Sequence, residues 1–241
     1  MWKIKNLLSA ADTNKPTVMH GPNGINQVGH REYVGGEWKE IGRLQFDFLV
    51  KQGLKPCHCF LDIGCGALRG GVHFIRFLDR GNYLGIDKEA MLIDAGIYKE
   101  LGRELHAEKA PELLVSNNFE FRRFSKVPSF GLAQSLFTHL TGDDIDFCLR
   151  QLRQFVGEGF RFYATFFKSN STSKNPKLSH DHMNCRYTRQ QMLLFGEGCG
   201  WQSNYLGDWC HPRNQMMMEY VGIGSGSTIV VDTQRMRSFS E

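Results

Sequence analysis

The sequence predicts an α/β fold with a doubly wound, mostly parallel sheet that closes in a C-terminal antiparallel hairpin. Short apolar, strand-like runs alternate with longer segments of helical periodicity, which is the pattern of a parallel sheet covered on both faces. The end of the chain instead holds two strand-like runs joined by a short turn. Five strands before the hairpin give an expected total of seven.

The individual elements follow from apolar spacing and from glycine and proline positions. Residues 1–29 are polar and rich in these two residues, which predicts a flexible or draped leader. Residues 38–49 show helical spacing, and Pro56 ends that segment before the first strand. The predicted strands are "CFLDI", "YLGID", "ELLVS", "FGLAQSL" and "RFYATFF", and the helices between them cover residues 69–78, 89–105 and 143–155. "TRQQMLLFGEGCG" predicts a further helix, and "WQSNYLG" and "QMMMEYV" predict the hairpin. One domain is expected over residues 30–223, followed by a loose tail over residues 224–241.

Composition and charge disfavour nucleic-acid-binding, membrane-spanning and metal-binding proteins. The 241 residues carry a net charge of only +4, and the cations are dispersed, so no nucleic-acid partner is expected. No apolar run is long enough to cross a membrane, and seven cysteines without a secretory signal predict a cytoplasmic protein. The "CHC" at residues 57–59 has no second ligand pair at finger spacing, so no metal is expected.

A glycine turn follows the first predicted strand in "LDIGCGALRGG". Gly64 and Gly66, on either side of Cys65, permit a sharp turn and close approach of a ligand to the backbone. A dinucleotide site would have its third glycine at position 69, which is Arg69 here. Arg69 or the turn amides would suit a ligand carboxylate, and Asp62 would orient the loop or meet a ligand ammonium group. The turn therefore indicates a nucleotide-bearing ligand without a pyrophosphate.

A second acid lies about twenty residues beyond the turn. Asp87 ends "NYLGID", at the separation where a carboxylate at the next strand end meets ribose hydroxyls. The alternative is a strand-end turn residue, and the spacing alone does not separate the two interpretations.

Together these motifs resemble the class I S-adenosylmethionine-dependent methyltransferases, over residues 61–221. "LDIGCG" matches the first motif of that family, Asp87 matches its acid after the second strand, and Asn117 and Asn118 before "FEF" match its adenine-contacting position. The resemblance implies a Rossmann-like methyltransferase fold and S-adenosylmethionine as cofactor. The implied cofactor-binding residues are Asp62, Gly64, Cys65, Gly66, Arg69, Asp87, Lys88, Asn118, Phe119 and Ser135.

The resemblance also frames the search for the methyl acceptor. The Asn/Asp-Pro-Pro-aromatic motif of nucleic-acid amino methylation is missing from "AQSLFT", and the only Pro-Cys pair, at Pro56, precedes the first strand. A small-molecule acceptor is therefore expected. His139 in "SLFTHL" lies where the family places groups near the transfer cleft, and a neutral imidazole there would favour oxygen over nitrogen as acceptor atom. His211, in the predicted hairpin turn, is the second catalytic candidate. The alternatives are a bracing role for His139 and a solvated turn for His211.

Two of the aromatic residues that precede the first strand have two interpretations. Tyr33 and Trp38 would fold over the cofactor or pack at a helix start.

Two other functions are alternatives to methyl transfer. An NAD-dependent oxidoreductase is the first alternative function, disfavoured by Arg69 and the hairpin. A non-catalytic cofactor-binding partner protein is the second.

Overall fold

The computed structural model describes residues 19–224. Residues 1–18 of the predicted leader and residues 225–241 of the predicted tail lie outside this range. The strands are β1 (Phe60–Ile63), β2 (Tyr83–Asp87), β3 (Glu112–Val115), β4 (Phe130–Ala133), β5 (Arg161–Lys168), β6 (Arg186–Tyr187), β7 (Trp201–Asp208) and β8 (Gln215–Gly222). They form one sheet in the order β3-β2-β1-β4-β5-β8-β7, and β6 pairs with β5 outside this path.

The sheet is doubly wound, as the alternating pattern predicts. Strand β1 pairs in parallel with both β2 and β4, so the chain moves outward in opposite directions from β1. All four residues of β1 and of β4 are buried, because helices cover both faces of the sheet. The position between β1 and β4 is therefore the topological switch point, where α/β sheets bind ligands at the carboxyl ends of their strands.

The hairpin is confirmed and the strand count is corrected. Strands β7 and β8 are antiparallel to each other, and β8 is antiparallel to β5. The predicted seven strands are present, but a two-residue strand, β6, adds an eighth. Phe167 pairs with Arg186 and Lys168 with Tyr187, at the end of β5 beyond the last residue paired with β4. Two residues are too few for a periodicity signal, so the sequence did not reveal β6.

The helices are α1 (Gly21–Val28), α2 (His30–Tyr33), α3 (Trp38–Lys51), α4 (Gly71–Phe77), α5 (Ala90–Ala95), α6 (Arg103–Lys109), α7 (Gly142–Phe155) and α8 (Arg189–Glu197). Thr141 caps α7, and Thr188 forms a capping box with Gln191 at the start of α8. The single helix expected over residues 89–105 is wrong in detail. The segment begins as α5, continues as a π-helical turn, Gly96–Leu101, and breaks at Gly102, whose φ of 88° is left-handed.

Two apolar cores lie on opposite faces of the sheet. One packs the side chains of α7 and α8 against the sheet around Trp201, and the other packs α3 and α4 around Phe60 and Phe74. The predicted leader contributes too: α1 lies within residues 1–29, and its Ile25 is buried in a third cluster with residues of α5. The packed part of the chain thus begins before residue 30. No helix within residues 19–224 is long and apolar enough to cross a membrane.

Candidate functional site

A cavity of about 610 Å³ lies at the carboxyl ends of β1 to β4, at the switch point of the sheet. Its walls hold ten of the twelve predicted site residues, namely Asp62, Gly64, Cys65, Gly66, Arg69, Asp87, Lys88, Phe119, Ser135 and His139. The other two, Asn118 and His211, are not among the lining residues. The sequence therefore predicted the location of the cavity and most of one wall.

The glycine turn adopts the backbone conformation that its sequence predicts. Gly64 and Gly66 have φ values of 75° and 52°, which residues with a β-carbon rarely adopt. Leu68 is also left-handed, with φ of 64°, and its buried side chain belongs to the core of the α3 and α4 face. A β-carbon on Gly66 would lie 3.2 Å from Cγ1 of Val34, so glycine also makes room for the segment that covers the turn.

The Asp87 carboxylate holds the glycine turn against the end of β2. Its Oδ2 accepts a hydrogen bond of 2.8 Å from the amide of Gly66, and its Oδ1 accepts one of 2.9 Å from the amide of Glu89. Burial raises the pKa of Asp87, and these two amides oppose that shift. A carboxylate has further lone pairs, so both oxygens can still accept hydrogen bonds from a ligand. The two interpretations of Asp87, brace and ligand contact, are therefore compatible.

Asp62 is the more deeply buried acid of the cavity wall. Only 4% of its surface is exposed, and its Oδ2 accepts a hydrogen bond of 2.7 Å from the hydroxyl of Tyr83. Burial raises the pKa of Asp62 to about 7. The carboxyl group is therefore partly protonated near neutral pH, and a ligand cation beside it would favour the ionised form.

Arg69 is buried in the wall and is already bound by the protein. Its Nη1 donates to the carbonyls of Val34 and Gly36 at 3.2 and 2.9 Å, and its Nη2 donates to Oε1 of Gln134 at 2.7 Å. Burial and the charge of Arg213 lower the pKa of Arg69 to about 10. The expected ligand carboxylate would therefore share this guanidinium with three protein acceptors.

Two segments far apart in the chain cover the cavity, and we call them the cover. One is residues 19–36 and the other is residues 179–184. Asp181 joins them, because its Oδ2 accepts a hydrogen bond of 2.9 Å from the hydroxyl of Tyr33 and its Oδ1 pairs with Lys88. Burial and the bond to Asp181 raise the pKa of Tyr33, so its hydroxyl stays protonated as a donor.

The cover is also tied to the body of the fold. Arg31 makes two hydrogen bonds of 2.7 Å to the carboxylate of Glu100, in the π-helical turn. Within the cover, His182 donates from Nε2 to the carbonyl of Met19 at 3.1 Å, which joins its two segments a second time. Tyr33 thus lines the cavity, as one interpretation of the sequence expects. Trp38 is not a lining residue and instead packs in the cluster with Ile25.

The end of β3 forms the part of the cavity wall that the sequence predicts beside the adenine of the cofactor. Asn117 and Phe119 line the cavity, whereas Asn118 is exposed outside it, so the asparagine at the cavity is one residue before the predicted Asn118. Phe119 has φ of 51°, which turns the chain there. Sequence alignment to a motif is accurate only to a residue or so in a turn, which accounts for this shift.

Ser135 and Cys65 line the cavity with little free hydrogen-bonding capacity or reactivity. The hydroxyl of Ser135 donates to Oε1 of Gln215 at 3.1 Å, and its amide donates to Oγ1 of Thr165 at 2.7 Å. Burial and the nearby carboxylates of Asp87 and Asp62 raise the pKa of the Cys65 thiol, so it is not a thiolate nucleophile.

His139 lies on the cavity wall as a neutral imidazole. Its Nδ1 is 3.0 Å from the carbonyl of Met183, and because a carbonyl only accepts, Nδ1 carries the proton. Burial lowers the pKa of His139, which also favours the neutral ring. Its Nε2 therefore carries the lone pair of the ring.

His211 is buried behind the cavity wall and not in a solvated turn. Only 3% of its surface is exposed, and its ring stacks on Trp209 with centroids 5.3 Å apart. Its Nε2 lies 3.0 Å from the side-chain amide of Gln134, which in turn holds Arg69. Of the two predicted catalytic histidines, His139 therefore lines the cavity, whereas His211 lies behind its wall. Burial beside the charges of Arg69 and Arg213 lowers the pKa of His211 to about 4.

Sequence reasoning missed the residues that join distant segments. Asp181, Gln134 and Gln215 line the cavity, yet none lies in a recognisable motif. Asp181 comes in a polar segment without periodicity, which gave no signal beyond its composition.

The architecture is shared with solved methyltransferase structures. The magnesium protoporphyrin IX methyltransferase of Synechocystis PCC 6803, solved with bound S-adenosylmethionine, has a TM-score of 0.59 at 13% identity, over 82% of this chain and 93% of that one. The CcbJ methyltransferase of Streptomyces caelestis has a TM-score of 0.58 at 14% identity, over 79% and 92%. The chain has the Rossmann-like methyltransferase fold.

Another protein with this methyltransferase fold is an amino pentose methyltransferase from Micromonospora echinaspora. It has a TM-score of 0.58 at 10% identity, over 79% of this chain and 93% of that one. No protein-family model matches the sequence. The methyltransferase fold of this chain is thus evident from its architecture, at identities of 10–14%.

Proposed function

We propose that the protein is a methyltransferase that uses S-adenosylmethionine as cofactor and a small molecule as methyl acceptor. The observation that carries this proposal is the pairing of the glycine turn with Asp87 at the switch point, inside a covered cavity. Two solved proteins of the same fold contain S-adenosylmethionine, those from Synechocystis and Micromonospora.

The residues of the cavity fit this cofactor. Asp87 offers carboxylate oxygens to the ribose hydroxyls, and Asn117 and Phe119 at the end of β3 would border the adenine. Asp62 would meet the ammonium group, and Arg69 with the turn amides would meet the carboxylate. The cavity of about 610 Å³ lies within the range of roughly 300–1,000 Å³ for small-molecule sites. Lys88 would contribute through Asp181 and the cover.

When bound, the cofactor would supply an electrophilic methyl group on a sulfonium, and transfer of that methyl group to an acceptor lone pair would release the spent cofactor as a neutral thioether. The protein then has to align the acceptor and exclude water. The cover would perform the second task, because Tyr33 and Asp181 both line the cavity and are joined by a hydrogen bond. No protein nucleophile is required.

His139 is the proposed general base for an oxygen acceptor. With Nδ1 held by the carbonyl of Met183, Nε2 takes the hydroxyl proton as the oxygen bonds to the methyl group. His211 would act by positioning Gln134, and through it Arg69, without touching the acceptor. An amine acceptor would need only a neutral nitrogen, so a hydroxyl acceptor accords better with a histidine in this tautomer.

The test is calorimetric titration of the full chain with S-adenosylhomocysteine and, in parallel, with NADH. We expect saturable one-to-one binding of S-adenosylhomocysteine and none of NADH. Binding of NADH alone would replace this proposal with an oxidoreductase. Methylation of hydroxylated metabolites with S-adenosylmethionine then separates an enzyme from a non-catalytic binding protein.

The proposed location of the protein is the cytoplasm. All seven cysteines are free thiols, which agrees with a reducing compartment of this kind.

A further inference from the structure

A second, smaller groove adjoins the main cavity on the β5 side of the sheet. It has a volume of about 340 Å³. Its lining consists of residues from the end of β5 and the loop after it, from β6, and from the turn before β8 and the start of β8, namely Phe167, Lys168, Asn170, Arg186, Arg213, Asn214 and Met216. Phe167 and Arg213 line both the groove and the main cavity, so the two spaces are neighbours with a shared wall.

The groove carries an excess of positive charge. Three of its seven lining residues are cations, and none is an acid. Arg213 pairs with Glu37, the residue that follows the first segment of the cover, at 3.1 Å. Lys168 and Arg186 form no ion pair within residues 19–224. Two uncompensated cations with neutral amides beside them attract an anion, because opposite charge and hydrogen-bond donors act together there.

The two cations approach the groove from opposite faces of the sheet, because successive strand residues alternate and Arg186 pairs with Phe167 whereas Lys168 pairs with Tyr187. Arg186 is in β6, where it pairs with Phe167, and its guanidinium lies 5.2 Å from the centre of the Phe167 ring. The ammonium group of Lys168 lies 5.9 Å from the centre of the Tyr205 ring. Such contacts restrict long side chains, which lowers the entropy lost when they bind a ligand. The short strand β6 thus has a consequence for the site, since it carries Arg186 to the end of β5.

The groove lies on the side of the site opposite the proposed nucleoside position. Asp87, at the end of β2, and the end of β3 mark the nucleoside side of the switch point. The groove lies beyond β4, at the end of β5, on the opposite side. His139 and Gln215 border the main cavity next to the shared residues Phe167 and Arg213.

We propose that the methyl acceptor carries an anionic group, a carboxylate or a phosphate, which binds in this groove between Lys168 and Arg186 while the atom to be methylated lies in the main cavity. This inference rests on the proposed methyltransferase function. It adds the chemical class of the acceptor, and it assigns specificity to two cations that take no part in cofactor binding.

The test uses small probes whose charge differs while their ring is kept. Phenyl phosphate, benzoate and neutral benzyl alcohol are titrated calorimetrically into the full chain saturated with S-adenosylhomocysteine. We expect the anions to bind and benzyl alcohol to bind at least roughly tenfold more weakly. The order of phenyl phosphate and benzoate distinguishes a phosphate-bearing from a carboxylate-bearing acceptor.

Variants locate the binding. Lys168→Ala and Arg186→Ala should each weaken anion binding by roughly tenfold and leave benzyl alcohol unchanged. Arg186→Lys, which keeps the charge, should restore part of it. The matched control is Lys55→Ala, which should have no effect. Lys55 is an exposed cation that precedes the amino end of β1, away from the groove at the carboxyl end of β5. Thermal unfolding of each variant confirms that it folds.

The outcomes separate this inference from the proposed function. Anion binding that is equal in the wild-type protein and in folded Lys168→Ala and Arg186→Ala overturns the inference, as does equal binding of benzyl alcohol. Either result leaves the methyltransferase proposal standing if S-adenosylhomocysteine binds. Failure of S-adenosylhomocysteine to bind removes the proposed function itself, whatever the anions do.

Discussion

Replacing Asp87 by alanine is the most informative perturbation of the site, because this carboxylate has two roles. It accepts hydrogen bonds from the amides of Gly66 and Glu89, and in the proposed complex it also accepts from the ribose. Loss of a hydrogen bond to a charged acceptor weakens binding by about 1.5–3 kcal/mol. Asp87→Ala should therefore weaken S-adenosylhomocysteine binding about 10-fold to 150-fold.

The same substitution also leaves two backbone amides without an acceptor. Each buried donor without a partner costs about 1–3 kcal/mol, but water from the adjacent cavity reaches this turn, so a total near 2 kcal/mol is expected. In a chain of this length that corresponds to a fall in Tm of about 4–8 °C. Binding is therefore measured well below the Tm of the variant, with circular dichroism to confirm its secondary structure.

Two further variants separate the roles of Asp87. Asp87→Asn retains one carbonyl oxygen, which serves one amide and not both, so its Tm should lie between those of Asp87→Ala and the wild-type protein. Asp79→Ala removes an exposed acid before the amino end of β2, whereas Asp87 lies at its carboxyl end, and this variant should bind S-adenosylhomocysteine normally. A folded Asp87→Ala protein with unchanged affinity would refute the assignment of Asp87 to the cofactor site.

Three other predictions concern the wall and the cover. Asp62 has a pKa of about 7 when folded and an ordinary acidic value when unfolded, so as pH rises from about 4 to 7 only the unfolded chain loses this proton and stability falls. Asp62→Asn removes that term, and chemical denaturation should show it gaining on the wild-type protein over this range, by on the order of 4 kcal/mol; a constant difference would contradict the shift. Asp181→Asn weakens the pairing with Lys88 and should speed dissociation of S-adenosylhomocysteine in stopped-flow measurements, whereas an unchanged rate would show that Asp181 does not hold the cover closed. Arg69→Met leaves Oε1 of Gln134 and two carbonyls without their buried donor, and a loss of about 2–4 kcal/mol is expected in urea unfolding, against almost none if water replaces the guanidinium.

The sheet and the glycine turn were predictable because their signals are local. The buried runs at β1 and β2 are continuous in sequence, and the turn at Gly64 and Gly66 requires a conformation that few other residues adopt. The hairpin of β7 and β8 follows from the same kind of signal, two strand-like runs with a short connection. Each of these elements is specified by residues within about twenty positions of one another.

Only the part of the cover around Tyr33 was predictable from the sequence, because the contacts that complete the cover join residues distant in sequence. Tyr33 and Asp181 are 148 positions apart, and neither lies in a periodic segment. The burial of His211 was missed for a related reason: its ring contacts Gln134, 77 positions earlier. A histidine in a turn ordinarily suggests exposure, and only the packed structure shows which turns are buried.

The cover has a consequence for turnover. In the proposed complex, a nucleoside beneath residues 19–36 and 179–184 would leave only after the contacts of Asp181 with Tyr33 and Lys88 have broken. Because the spent cofactor would have to be exchanged once per cycle, this opening would set an upper limit on kcat. Where opening is the slowest step, the maximal rate would be nearly the same for good and poor acceptors, and it would fall as solvent viscosity rises.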